Sequence, residues 1–322
     1  MPRFPVFAAR HVLGALEAGE AVDVTRTAFL AHAEGRWSMP SKVYVPSSDG
    51  DFRAMPAAGG GYAVLKWVTS FPANPERGLP TVTGIVLLSD AETGELRALL
   101  DAGAVTAVRT GAAAVLAAET LARTTIAPAS VVGCGVNGRA VARTFLARGR
   151  AVRLWDRRRE QAEVAARELG EGAEVAVDLA HALAADIVAT VTPGRELLFE
   201  EGDLHAGQHV SLMGADGPGK AEIAVEELLR ARVVCDEWEQ ASHNGDIARA
   251  VEAGRLGRTD VAELGRVLSG EERGRSDEHE ITVFDSTGLA AQDLAVAIAV
   301  YERSRDERSS GAFRDVAEIE IG

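Results

Sequence analysis

Apolar positions recur at helical spacing through residues 21–34, AVDVTRTAFLAHAE, and Gly35 follows as a stop. Beyond it the pattern changes to short apolar runs. These are KVYV at 42–45, FRAMP at 52–56, YAVLKWV at 62–68 and TVTGIVLL at 81–88. Turn signals separate them, among them Ser48-Asp49-Gly50 and Gly59-Gly60-Gly61, so this stretch predicts strands of a sheet. Residues 102–122 are rich in Ala, Val and Leu and predict one long helix.

From residue 130 the rhythm alternates. SVVGCG reads as strand and turn, RAVARTFLARG as helix, AVRLWD as strand and RREQAEVAARELG as helix. AEVAV, DIVATVT, HVSLMGA and RVVCDE continue the strands, with VEELLRA helical before the last. ITVFDS at 281–286 predicts a final strand and GLAAQDLAVAIAVYERS a closing helix, followed by a charged tail at 305–322. Strands alternating with helices of this length predict a parallel doubly wound sheet.

Composition narrows the classes. The chain is 322 residues long, 47% hydrophobic and 25% charged, which is globular and excludes disorder or a collagen-like repeat. No stretch approaches 18 uninterrupted apolar residues, so no membrane span is expected. A net charge of −14 disfavours nucleic-acid partners. Two cysteines, Cys134 and Cys235, form no disulfide framework, and no signal-peptide layout precedes Arg10 and His11, so the chain reads as cytoplasmic. Only three lysines, Lys42, Lys66 and Lys220, stand against 31 arginines. A lysine kept where arginine is otherwise the default cation suggests work that a guanidinium does poorly, such as releasing a proton.

Gly133-Cys134-Gly135-Val136-Asn137-Gly138 is a G-x-G-x-x-G that follows an apolar strand, opens a helix and precedes Asp156 by 18 residues. In that context the three glycines serve a tight turn, close approach of backbone to a pyrophosphate, and helix–strand packing. The acid takes the adenosine ribose. Asp156 points to NAD, because a carboxylate repels a 2′-phosphate; the run Arg157-Arg158-Arg159 leaves NADP open. Cys134 falls on a variable position and reads as packing. Trp67 points away from Lys66 and reads as core. Asp277-Glu278-His279-Glu280 reads as a solvated acidic loop, and no metal site is expected.

FRAMPA, LKWVTSFPANPERGLPTVTG, AVTAVRTGAA, VVGCGVNG, LMGADGPGK and ITVFDSTGLAAQD occur in this order. Together they resemble the ornithine cyclodeaminase/μ-crystallin family, and the stretch from GADGPGK through NGDI looks most like its archaeal-type alanine dehydrogenase branch. The resemblance implies an α/β homodimer. In it a Rossmann doubly wound sheet, residues 113–299, is inserted in a smaller α+β substrate and dimerisation domain, residues 1–112 with 300–322. It also implies a site in the cleft. Lys66 and Asp216 match the catalytic pair. Lys42, Arg53, Met55, Arg109 and Thr287 fall at substrate positions. Thr81, Arg109, Val136, Asn137, Asp156, Arg157, Thr192, Met213, Lys220 and Ser286 fall beside the dinucleotide with Gly133, Gly135 and Gly138. Two departures stand out. Lys42 replaces an arginine, and Arg53 replaces the glutamate that holds a distal ammonium in the cyclodeaminases.

Oxidising an α-amino acid needs a carboxylate anchor, a base for the amine proton and a partner for the imine. Arg109 and Lys42 suit the first role, Asp216 and Lys66 the others, with the choice of base between them open. Arg53 repels a second ammonium, which favours oxidative deamination to a 2-oxo acid. Cyclic ketimine reduction, ornithine cyclisation with loss of ammonia, and a non-catalytic NAD(P)H carrier are the alternatives.

Overall fold

The computed structural model describes residues 3–124, 127–217, 219–306 and 311–320. Pro218 and, in the expected tail, 307–310 and 321–322 lie outside the described residues. The chain divides into two compact units, Met1–Arg109 with Leu289–Gly322, and Thr110–Gly288.

In the first unit, β1 (Arg3–Phe7), β2 (Val43–Pro46), β3 (Asp51–Gly59), β4 (Tyr62–Ser70), β5 (Val82–Asp90) and β6 (Leu96–Asp101) join β15 (Ala317–Glu320). They form one sheet in the order β15-β1-β6-β5-β4-β3-β2. β2 to β5 are the runs that the apolar pattern predicts. β1, β6 and β15 are additional. β1 carries a proline, and β6 runs directly into the long helix Ala102–Leu121. Alternation sends Met55, Val64, Lys66, Val68, Val86 and Leu88 to one face. The closing helix Ala290–Asp306 packs there through Leu294, Val296, Ala297 and Val300. Register pairs Met55 with Lys66 and Lys66 with Val86, so the lysine lies in an apolar row under that helix. The other face is open. Trp67 is 39% exposed, against the expectation of a core residue, because the strands put it opposite Lys66, on the face where Phe52 stacks on it.

The second unit is an eight-stranded, all-parallel sheet ordered β13-β12-β14-β11-β10-β7-β8-β9. Its strands are β7 (Ala129–Val132), β8 (Val152–Trp155), β9 (Ala173–Val175), β10 (Ile187–Thr190), β11 (His209–Leu212), β12 (Arg232–Cys235), β13 (Ala262–Glu263) and β14 (Thr282–Asp285). β7, β10, β11 and β14 are buried along their whole length, as a sheet covered on both faces requires. The chain leaves β7 for β8 and β9 on one side and returns to β10 on the other. The β7–β10 junction is therefore the switch point where such sheets take ligands. The helix Ala102–Leu121 is long and apolar enough to cross a membrane, but its apolar window is 78% buried within the protein, as in a core helix.

Candidate active site and nucleotide-binding turn

The turn after β7 has the geometry its glycines predict. Gly133 has φ +100°, a conformation that L side chains rarely adopt. A Cβ on Gly138 would collide with the Gly133 carbonyl oxygen, so strand and helix pack too tightly for any side chain there. Gly135 faces open space and is the N-cap of the helix Val136–Ala147, with no side chain capping it. Val136 is exposed and Asn137 half-buried in the first turn. Uncapped amide groups beside a bare Gly135 make an anion cradle of pyrophosphate type. Cys134 itself is buried, and burial pushes its thiol up to about 12, in keeping with packing.

Asp156 follows β8. Its carboxylate accepts the Cys134 amide at 2.8 Å and the Arg158 amide at 2.9 Å, fixing turn and acid together. Beside it lies a cavity of about 330 Å³ lined by Trp155, Asp156, Arg157, Ala176, Val177 and Leu179. Its lining also includes Arg159 and Asp178, so the apolar floor of Trp155, Ala176, Val177 and Leu179 is rimmed by two acids and two arginines. Arg157 extends into solvent, 3.4 Å from Glu196.

The loops after β10 and β11 are held by one carboxylate. Glu222 is fully buried and accepts from Thr190 Oγ1 at 2.6 Å, Thr192 Oγ1 at 2.5 Å, the Thr192 amide at 3.1 Å and the Gly214 amide at 3.0 Å. Burial pushes its acid up, and these bonds pull it back. Thr192 and Met213, which donates its amide to Thr190 O, are thereby fixed at the carboxyl ends of the strands. The Glu222 amide donates to Asp246, which is buried and raised well above the usual carboxylate range by desolvation and then by Asp285 and Glu222. Asp216 is part-exposed on this loop, with Lys220 Nζ at 2.5 Å. After β14, the Ser286 and Thr287 hydroxyls and the Gly288 amide all donate to buried Asp236, at 3.2, 3.2 and 2.6 Å.

In the first unit, Lys66 is buried on β4 with its Nζ 2.7 Å from Asp293 Oδ2 and 3.4 Å from Thr106 Oγ1. Arg109, on the long helix, has Nε 3.7 Å from Asp293 Oδ1. Burial lowers Lys66 from 10.5 to about 8; Asp293 raises it, while Arg109 and Arg53 lower it further. Arg53 is buried on β3, two residues before Met55 on the same face. Its Nε lies 2.5 Å from Asp51 Oδ1, and its guanidinium lies 5.3 Å from the Tyr44 ring centre. Lys42 is half-buried just before β2, and Thr81 half-buried just before β5. Sequence reading thus finds the cations of this site but misses the acids that balance them. Asp293 is a lone charge within the apolar run LAAQDLAVAIAV, and that isolation is its signal. Asp51, Asp236 and Glu222 carry no comparable signal, since acids beside turns are ordinary.

A parallel sheet with this turn and acid defines a dinucleotide-binding α/β protein. Residues 6–308 match the model of the ornithine cyclodeaminase/mu-crystallin family, and the chain belongs to that family. An alanine dehydrogenase of Archaeoglobus fulgidus is 42% identical over 292 residues, 88% of this chain and 90% of that protein. A Delta(1)-pyrroline-2-carboxylate reductase of Bacillus cereus is 36% identical over 250 residues, 74% of this chain and 77% of that one. Among solved structures, an archaeal alanine dehydrogenase dimer with bound NAD matches with TM-score 0.91 at 37% identity, covering 100% of both chains. The Thermococcus litoralis Delta(1)-pyrroline-2-carboxylate reductase in complex with NADH and L-proline matches with TM-score 0.88 at 26% identity, covering 95% of this chain and 98% of that one.

Proposed function

We propose that this protein is an NAD-dependent oxidoreductase of the C–N bond, catalysing the reversible oxidative deamination of a small amino acid to a 2-oxo acid and ammonia. The observation that carries it is Lys66: an ammonium buried with Asp293 and Arg109, lowered toward neutrality and set for proton transfer. The alanine dehydrogenase at 42% identity supports the reading.

When bound, NAD supplies the hydride acceptor for the substrate Cα. The glycine turn, Asp156, Thr192 and Met213 hold it. Arg109 and Lys42 anchor the substrate carboxylate. Asp216 takes the proton from the amine or the attacking water, and Lys66 polarises the developing imine or carbonyl. Arg53, already held by Asp51, makes the pocket hostile to a second ammonium and so disfavours diamino acids. Ser286 and Thr287 position the loop by way of Asp236.

The pyrroline-2-carboxylate reductase relatives support a second reading, reduction of a cyclic imine by the same residues. Absorbance at 340 nm with NAD and an amino-acid panel separates the cases. NADH formed from alanine supports deamination. NADH consumed only with a cyclic imine supports the second reading. Proline formed from ornithine without net absorbance change refutes both in favour of cyclodeamination.

The native state on this proposal is a homodimer. The open sheet face with Val43, Val45, Trp67 and Ile85 is the surface that a second copy covers, and the archaeal relative is a dimer. Two buried, unpaired cysteines suit a cytoplasmic protein.

A further inference from the structure

We infer that Asp293 is the positioning residue of the substrate site: its buried carboxylate is the shared counter-ion that orients the Lys66 ammonium and the Arg109 guanidinium and balances their charge. The inference rests on the functional reading of Lys66 and Arg109 given above.

Each carboxylate oxygen serves one cation. Oδ2 lies 2.7 Å from Lys66 Nζ and Oδ1 lies 3.7 Å from Arg109 Nε. The Asp293 side chain has no exposed surface, and Ala290, Ala291, Leu294 and Ala297 of its own helix are buried around it. Among the described residues no backbone amide or hydroxyl donates to either oxygen. A carboxylate in a purely structural role is normally held by such donors. Here the two cations alone compensate its burial, so its place in the apolar helix is explained by them.

The charges bear this out. Three elements bring charged groups to Lys66: Arg53 with its partner Asp51 from β3, Arg109 from the long helix, and Asp293 from the closing helix. From β5 the register neighbour is Val86, which is uncharged. Burial, Arg109 and Arg53 all favour the neutral amine, and Asp293 opposes them. Lys66, Arg109 and Asp293 together carry one net positive charge, which one substrate carboxylate neutralises. Without Asp293 the same pocket holds two bare cations, and Lys66 sheds its proton.

With only three lysines in the chain, [15N]lysine NMR reads Lys66 directly, Lys42→Arg and Lys220→Arg supplying the assignments. The measurement needs no substrate, so it is independent of the proposed reaction. In Asp293→Asn the Lys66 titration midpoint should fall by about 1–3 units, the range for losing an opposite charge at this distance. In Arg109→Gln, which removes a competing cation, it should rise. With NAD and L-alanine, Asp293→Asn should lower kcat about tenfold or more while the NADH Kd stays within about twofold, and Asp293→Glu should recover part of the loss. An unmoved midpoint in a folded Asp293→Asn overturns the inference. Should that variant fail to fold, an unmoved or lowered midpoint in Arg109→Gln overturns it instead. A Lys66 that responds as stated in a protein inert toward every amino acid leaves the ion triad standing and removes the deaminase reading.

Discussion

The carboxylate of Asp156 accepts the backbone amide of Cys134 at 2.8 Å, so the acid at the end of β8 and the turn at the end of β7 form one rigid unit. Its second oxygen takes the Arg158 amide. Both oxygens keep further lone pairs, and on the proposed function these would accept the ribose hydroxyls of NAD beside the cavity that Asp156 helps to line.

Discrimination between the two nicotinamide cofactors follows from that charge. The native protein should bind NADH more tightly than NADPH. Asp156→Ala removes the brace on the turn and, on the proposed function, the ribose acceptor with it. NADH affinity should fall about 10–100-fold, the usual cost of charged hydrogen bonds, and NADPH affinity should fall less. Fluorescence titration of both cofactors reads this. Tighter NADPH binding by the native protein would mean that Arg157, not Asp156, sets the preference.

On the proposed mechanism, Lys66 would give the reaction its pH dependence. Its midpoint, brought down by burial to about 8, leaves it protonated at pH 7 and increasingly neutral above 8. If it donates toward the imine or carbonyl, as proposed, it is needed charged in the reductive direction. There kcat/KM should fall about tenfold per pH unit above about 8. Lys66→Met should cost about 100-fold or more at pH 7. A reductive rate that climbs through pH 8 assigns Lys66 the role of base.

The buried acids of the second unit predict a pH-dependent stability. Burial pushes Asp285 up to about 7 from an ordinary 3.8, and the Ile247 amide donates to it at 3.0 Å. A Cβ on Gly245 would run into its carboxylate, so the loop is built against this acid. The folded state holds the proton more tightly than the unfolded one. The stabilisation is therefore complete below about pH 4 and is lost as pH rises through about 7. Asp285→Asn keeps an acceptor for Ile247 but not the titration. In urea unfolding it should gain on the native protein between pH 5 and pH 8, by at most about 4 kcal/mol. Parallel pH curves for the two proteins would show that Asp285 titrates normally.

How much of this was legible in the chain depends on where each signal comes from. The parallel sheet announces itself because β7 and β10, buried along their whole length, read as mostly apolar runs that alternate with helical segments. The glycine turn is legible because backbone geometry dictates residue type at Gly133 and Gly138. β1 and β15 are not legible: they pair only with each other and β6 at the sheet edge, and their alternation is poor. The cations near Lys66 are visible against a background of arginine. Their counter-charge is hidden because Asp293 comes from a helix some 180 residues later in the chain than Arg109, and pairing over such a separation leaves no local pattern.

Trp67 shows the same limit from the other side, and leads to the last prediction. Alternation places it opposite Lys66, and a tryptophan in mid-sheet reads as core, yet it is 39% exposed in the single chain. Val43 and Ile85, aligned with Trp67 across β2, β3, β4 and β5, are 56% and 46% exposed. Phe52 stacks on the Trp67 ring at 5.8 Å and extends the apolar surface toward Val45. A contiguous patch of this kind on a sheet whose other face is already core marks an interface, and a two-fold copy of the same face is the simplest cover. Sedimentation at micromolar concentration should give a dimer. Trp67→Asp with Ile85→Asp should give a monomer, because two carboxylates cannot be buried there unpaired. NADH affinity should survive the change, since the glycine turn belongs to the other unit. A native protein that sediments as a monomer, or a double variant that stays dimeric, places the interface elsewhere.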